Sequence, residues 1–164
     1  MKQITITRVG EAEWPLYVAV QRAHDAAELA DDSAAPDRAE AGVNASRARY
    51  DFTQSDSCWA LLARVNDAPA GYALVVGIPK SDARVGFLFV DELYVLTPYR
   101  RMGVASALLQ HIERMARELG LAGMRLLVRK ENASARQLYR RAEFSENETI
   151  FCEKTFERLN VQTL

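Results

Sequence analysis

Phe89-Val90-Asp91-Glu92-Leu93-Tyr94-Val95 runs through Leu96 into Thr97-Pro98-Tyr99-Arg100-Arg101-Met102-Gly103-Val104-Ala105, and this passage organises the chain. Its first part belongs to a long strand, Val85 to Leu96. Beyond it Val104, Leu108, Ile112, Met115 and Leu119 are spaced by three or four, which puts them on one helical face, and Gly120 marks the helix end. A strand, a short basic turn with a glycine and a helix N-terminus together make an anion site. The free N–H groups of the first turn point outward along the axis, and the helix dipole adds partial positive charge. Gly103 and Ala105 are small enough for a pyrophosphate to approach the backbone, and Arg100 and Arg101 add charge. Two other phosphate-binding designs are excluded. No Gly-Lys-Ser/Thr follows the turn, and the three spaced glycines of a dinucleotide fingerprint are missing.

Upstream of this passage, Ile4 and Ile6 alternate with threonines as a first strand, and residues 12–30 read as a helix with Pro15 in its first turn. The loop Asp31 to Asp37 leads to a second helix, from about Asp37 to Tyr50. Cys58 to Val65 is a strand, Asn66 to Pro69 a turn, Tyr72 to Ile78 another strand and Pro79 to Asp82 a further turn. Downstream of Gly120, Met124 to Val128 is a short buried strand, residues 133–142 a short helix and Thr149 to Phe156 a last strand. The order β-α-α-β-β-β-α-β-α-β is that of an α/β domain with a largely antiparallel meander in its middle. Residues 1–164 read as a single domain, with no repeat or linker.

Composition fits that reading: 49% apolar and 26% charged residues are globular proportions. No apolar run approaches the roughly 20 residues that cross a bilayer, and the N-terminus lacks the apolar core of a signal peptide. Cys58 and Cys152 sit in apolar, strand-like runs and are expected to be reduced and half-buried, which favours the cytoplasm. The net charge of −1 gives no nucleic-acid signal. Its distribution is uneven: residues 97–141 carry ten bases and three acids, whereas residues 1–60 carry ten acids and six bases. One part of the protein suits an anion and the other a cation. No spacing of Cys, His and acids suggests a metal, and no Gly-x-Ser-x-Gly suggests a serine nucleophile.

Two segments together resemble the GNAT acetyltransferase superfamily. Arg100, Gly103 and Ala105 fill its Arg/Gln-x-x-Gly-x-Gly/Ala motif after a strand of the right type, and Asn132, Ala135, Leu138 and Tyr139 fill its downstream Asn-x-x-Ala-x-x-Leu-Tyr motif. The family usually continues to Gly-Phe, and this chain has Glu143-Phe144. The resemblance covers essentially the whole chain. It implies a mixed, centrally antiparallel sheet flanked by helices and splayed at the CoA-binding strand. It implies acetyl-CoA as acyl donor, its pantetheine arm along Leu93, Tyr94 and Val95 up to Leu96, and its pyrophosphate on Arg100, Arg101, Met102, Gly103, Val104, Ala105 and Ser106. Asn132, with Ala135 beside it, would hydrogen-bond the pantetheine; asparagine is also a good helix N-cap.

Acetyl transfer to an amine needs a deprotonated nitrogen, an oxyanion stabiliser and a proton for the leaving thiolate. The family's Leu-Tyr pair gives the last role to Tyr139, whose phenol is protonated at neutral pH. A backbone N–H near Tyr94 or Val95 would stabilise the oxyanion. Asp91 and Glu92 are candidate bases, and strand alternation sends them to opposite faces, so only one can face the cleft. His24 and His111 read as structural, with a place near the acceptor left open for His24. Family acceptors meet the first two helices and their loop, where Glu28, Asp31 and Asp32 form an acidic mouth suited to a small cationic amine such as a polyamine, an aminoglycoside or a lysine-like amine. Acetylation of a peptide or protein amine and a non-catalytic CoA-binding regulatory module are the alternatives. The expected partners are acetyl-CoA and an amine, with neither nucleic acid nor membrane; a homodimer is compatible with the sequence.

Overall fold

The computed structural model describes residues 3–156. The elements are β1 (Ile4–Arg8), α1 (Trp14–Glu28), α2 (Ala35–Tyr50), β2 (Cys58–Val65), β3 (Ala68–Pro79), β4 (Gly86–Val95), a 3₁₀ turn at Thr97–Tyr99, α3 (Val104–Glu118), β5 (Met124–Leu126) and α4 (Ala133–Arg141). They form one sheet in the order β1-β2-β3-β4-β5. The first four strands are antiparallel, and β5 joins β4 in parallel after the α3 crossover. Asn66 and Asp67 alone make the β2–β3 turn, both at positive φ (47° and 68°), so the hairpin is tighter than the four-residue turn expected and Pro69 lies inside β3.

Alternation along the strands divides the apolar side chains between two faces. Leu61, Ala63, Val75, Leu88 and Val90 pack under Val104, Leu108, Ile112 and Ala116 of α3. Ala60, Leu62 and Tyr72 pack under Trp14, Tyr17, Val18 and Val20 of α1. Among the described residues, no helix is long and apolar enough to cross a membrane.

Four expectations are corrected. Leu119, assigned to the α3 core stripe, is 49% exposed; it caps the helix, and Leu121 reaches the core from beyond the turn. Strand β5 ends at Leu126, short of Val128. Thr149 to Phe156 forms no strand: Ile150, Phe151 and Phe156 stand exposed, because alternation makes a strand only where a neighbouring edge completes its ladder. Cys152 in the same segment is therefore exposed, whereas Cys58 is half-buried as expected; both are free thiols.

The ends of α3 and α4 share one hydrogen-bond pattern. At α3, Leu121 N–H donates to Ala116 O at 2.9 Å and Gly120 N–H to Arg117 O at 3.0 Å; at α4, Phe144 N–H donates to Tyr139 O at 3.0 Å and Glu143 N–H to Arg140 O at 3.1 Å. Both are Schellman turns, which need a left-handed residue just past the cap. Gly120 supplies it at φ 65° and Glu143 at φ 62°. The missing glycine of the Gly-Phe pair thus leaves the turn intact, with an L residue held where its Cβ crowds the backbone. Glu143→Gly is expected to raise stability by about 1 kcal/mol, a Tm increase of roughly 2–4 °C in a domain of this size. A melting curve unchanged by the substitution would show that Glu143 bears no strain.

Candidate active site

The site begins at an irregularity in β4. Leu74 of β3 pairs with Glu92, but its neighbour Val75 pairs with Val90, so Asp91 is an extra, bulged residue. The bulge resets the alternation. Val90 lies on the α3 face, while Tyr94 and Leu96 lie on the α1 face. Glu92 lies on that α1 face too, since it shares the register of Leu74. The expectation that Asp91 and Glu92 point oppositely by simple alternation therefore does not hold. Asp91 is exposed, and its charge reaches Cys58 of the α1 face, adding to the burial that pushes that thiol up.

The parallel ladder between β4 and β5 joins Leu88–Met124, Phe89–Arg125 and Val90–Leu126, and stops just before the bulge. From Glu92 onward, β4 stays paired with β3 on one side, while its other edge has no strand partner among the described residues. This is the splay expected of the sheet. The backbone shows which groups line it. Leu96 N–H donates to Ala70 O of β3 at 2.9 Å, and the Tyr94 carbonyl lies so close to Gly71 that a Cβ there would come within 2.4 Å. Residues 94 and 96 thus face β3, and Val95, between them, faces the open edge. Its carbonyl accepts from Arg100 Nε at 3.0 Å. Of the two oxyanion candidates, Val95 has its N–H on the open side.

Arg100 also donates to the Tyr94 hydroxyl at 3.2 Å, with its guanidinium carbon 5.4 Å from that ring's centre. Its side chain folds back and fastens the end of β4 to the turn. Arg101 is exposed at φ 62°, and Gly103 caps α3 at φ 88°. No side chain caps α3; Ala107 N–H is the first to find a helical carbonyl, that of Gly103, at 3.0 Å. The N–H groups of Val104, Ala105 and Ser106 are left at the helix mouth, as an anion requires.

On the far side of the splay, α4 is capped by Asn132, whose side chain accepts from Ala135 N–H at 3.0 Å. The capping role of Asn132 is therefore real, and its amide NH₂ stays available to a second partner. Tyr139 is half-buried, and burial pushes its phenol above the usual tyrosine value. Phe144 packs edge-on against it with ring centres 5.8 Å apart, the apolar contact that accompanies a Schellman turn. Arg136 and Arg140 both grip Glu146, at 2.7 and 2.9 Å, holding its carboxyl down at about 2, well below the usual carboxylate range.

On the α1 face, Tyr72 donates to Glu92 Oε2 at 2.9 Å, and His24 Nδ1 lies 2.9 Å from the same hydroxyl. The His24 ring stacks on Tyr94 with centroids 3.7 Å apart. Burial first, and then the charge of Glu92, push the Tyr72 phenol far up, so it stays protonated and donates. Tyr72 reads from sequence as an ordinary apolar-face residue, and only its OH, in need of a partner once buried, hinted at more. Among the acidic-mouth residues, Glu28 and Asp31 are exposed. Asp32 is held by Arg38 at 2.5 Å, while Asp37 and Glu40 are held by Arg22. Much of the acidic first third is thus neutralised internally, which the charge count alone could not show. Trp14, Tyr17 and Phe52 are core residues, and Tyr50 is exposed.

A family model described as Acetyltransferase (GNAT) family matches residues 19–144, which run from within α1 to Phe144. The chain belongs to the GNAT acetyltransferase family. The match spans the splayed strand, the glycine turn and the α4 motif. No curated protein sequence matches the chain. Solved structures share its GNAT fold. An aminoglycoside N-acetyltransferase, AAC(6')-Iy, in complex with CoA is 16% identical with a TM-score of 0.73, covering 94% of this chain and 96% of that one. An aminoglycoside acetyltransferase, meta-AAC0020, from an uncultured soil metagenomic sample, in complex with trehalose, is 16% identical with a TM-score of 0.76, covering 94% and 97%. A ribosomal-protein-alanine N-acetyltransferase from Brucella melitensis biovar Abortus 2308 is 19% identical with a TM-score of 0.69, covering 93% and 99%. At these identities the likeness speaks for the GNAT fold alone.

Proposed function

We propose that this GNAT chain transfers the acetyl group of acetyl-CoA to the primary amine of a small cationic acceptor. The observation that carries the reading is the open edge of β4 beyond Val90, which leads directly to the uncapped N-terminus of α3. An extended amide-bearing arm can pair along Leu93 to Val95 while its pyrophosphate meets the N–H groups of Val104, Ala105 and Ser106, with Arg101 adjacent and Met102 and Gly103 forming the turn. Acetyl-CoA supplies an activated thioester. The protein supplies an oxyanion donor at Val95 N–H and a proton at the Tyr139 hydroxyl. The neutral amine forms the C–N bond as the thioester C–S bond breaks, the departing thiolate takes the Tyr139 proton, and the proton released from the nitrogen restores the phenol through solvent. Asn132 would hold the arm through its free amide.

Glu28 and Asp31, with Asp25 on the same stretch of α1, favour a polycation at the acceptor side, while Asp32 is engaged by Arg38. Thiol release from acetyl-CoA is measured with spermidine, sisomicin and lysine methyl ester, and against them the singly charged tyramine and the acidic glutamate. The polycations should give the higher kcat/KM, with an advantage that shrinks as salt screens the charges. Highest activity on glutamate would overturn the acceptor class. Binding of CoA without turnover of any amine would make the chain a non-catalytic CoA-binding module.

A further inference from the structure

The α1 stripe that contains Tyr17 and Gln21 continues to His24, which packs on Tyr72 of β3 and on Tyr94 of β4, beyond the Asp91 bulge. The hydrogen bonds there fix more than position. Tyr72 has a single hydroxyl proton, and it goes to Glu92 Oε2 at 2.9 Å. The Tyr72 oxygen must then accept from His24 Nδ1, 2.9 Å away, which places the imidazole proton on Nδ1 and leaves Nε2 with its lone pair. Tyr94 stacks beneath the ring at 3.7 Å, and Arg100 in turn fastens the Tyr94 hydroxyl at 3.2 Å. Imidazole tautomer, tilt and height are thus set by three separate elements: α1, β3 and β4.

We propose that His24 Nε2 is the base that deprotonates the acceptor amine, with Tyr72 and Glu92 as positioning residues that hold its tautomer and stabilise the imidazolium. This inference rests on the acetyl-transfer reading above. The acceptor enters as an ammonium; one N–H proton passes to Nε2, and the electron pair left on nitrogen attacks the thioester carbonyl, after which the C–S bond breaks, the thiolate takes the Tyr139 proton, and the nitrogen's second proton returns through solvent to the Tyr139 phenolate. Glu92 then acts from behind the phenol, and Asp91, bulged and outside this chain of hydrogen bonds, takes no part. Neither acid needs to touch the amine. The groups packed against His24 are Tyr72 from β3, with Glu92 behind its hydroxyl, and Tyr94 from β4, with Arg100 behind it.

The test uses thiol release from acetyl-CoA with whichever of spermidine, sisomicin or lysine methyl ester the wild-type chain turns over fastest. His24→Asn keeps a donor for Tyr72 and removes the base. It should lower kcat/KM for the amine by about 10²-fold or more at neutral pH, leave CoA affinity by calorimetry within about two-fold, and abolish the acid-side fall of the wild-type kcat/KM profile. Tyr72→Phe keeps the ring and breaks the relay, and should displace that acid limb with a smaller loss of rate. A His24→Asn variant within about three-fold of wild type, or one retaining the same acid limb, overturns the proposal while leaving the acetyl-transfer reading standing. If His24→Asn fails to fold, an unchanged profile in Tyr72→Phe overturns it instead. Turnover of none of the three amines by the wild type removes the reading beneath it.

Discussion

Tyr139→Phe should lower kcat by about 10²–10⁴-fold where chemistry limits the rate, because it removes one proton donor and keeps the ring. The structure sharpens this expectation. The ring is held by Phe144 at 5.8 Å and by the Schellman turn whose 3.0 Å bond ends on the Tyr139 carbonyl; neither contact involves the hydroxyl. Packing therefore survives the substitution, and burial, which keeps the phenol protonated, acts only on the atom removed. kcat and kcat/KM should fall together, and CoA affinity should change little. Steady-state kinetics with both substrates varied, beside a calorimetric CoA titration, separates three cases. A fall in kcat at constant CoA affinity fits an acid. A raised KM for acetyl-CoA with kcat preserved fits a hydroxyl that only holds the cofactor. A kcat near wild type removes Tyr139 from the mechanism.

Gly103→Val should weaken CoA binding by about 10–10²-fold, roughly what one disturbed charge-assisted hydrogen bond at the helix mouth is worth. Within the protein there is room for a side chain: an added Cβ would meet only Ile4 Cδ1, at 3.8 Å. The obstacle is the backbone at φ 88°, which a β-branched residue resists, and the lost clearance in front of the Val104 and Ala105 N–H groups. The variant should therefore also lose about 1–2 kcal/mol of stability, visible as a Tm a few degrees lower. Gly42→Ala, in α2 where an added Cβ meets nothing within 4 Å, is the control and should leave CoA affinity unchanged. A folded Gly103→Val chain that binds CoA as tightly as wild type would place the pyrophosphate elsewhere.

The strand, basic turn and helix around Gly103 were legible in the sequence because each is a local signal. The spacing of Val104, Leu108 and Ile112 defines a helix face, and an Arg-x-x-Gly-x-Ala turn before it exposes N–H groups whatever the rest of the chain does. The same locality explains the misreadings. Leu119 continues the stripe by count, yet the left-handed turn at Gly120 ends the helix and hands its place to Leu121. Thr149 to Phe156 alternates like a strand, but alternation says nothing about whether an edge is present to pair with.

The sequence by itself determined the element types around Gly103 and the two family motifs, and through the second motif it singled out Tyr139. Tertiary structure alone decided the bulge at Asp91, the point where β4 leaves β5, and the side of the sheet that Glu92 serves. Those depend on register between strands, which a one-residue insertion resets for every side chain beyond it. It also decided that His24, Tyr72 and Glu92 meet, across separations of 48 and 20 residues. No periodicity links such positions. They converge because α1 must bury its apolar stripe on the face of β3 and β4, and a buried phenol then takes the hydrogen-bond partners that packing leaves within reach.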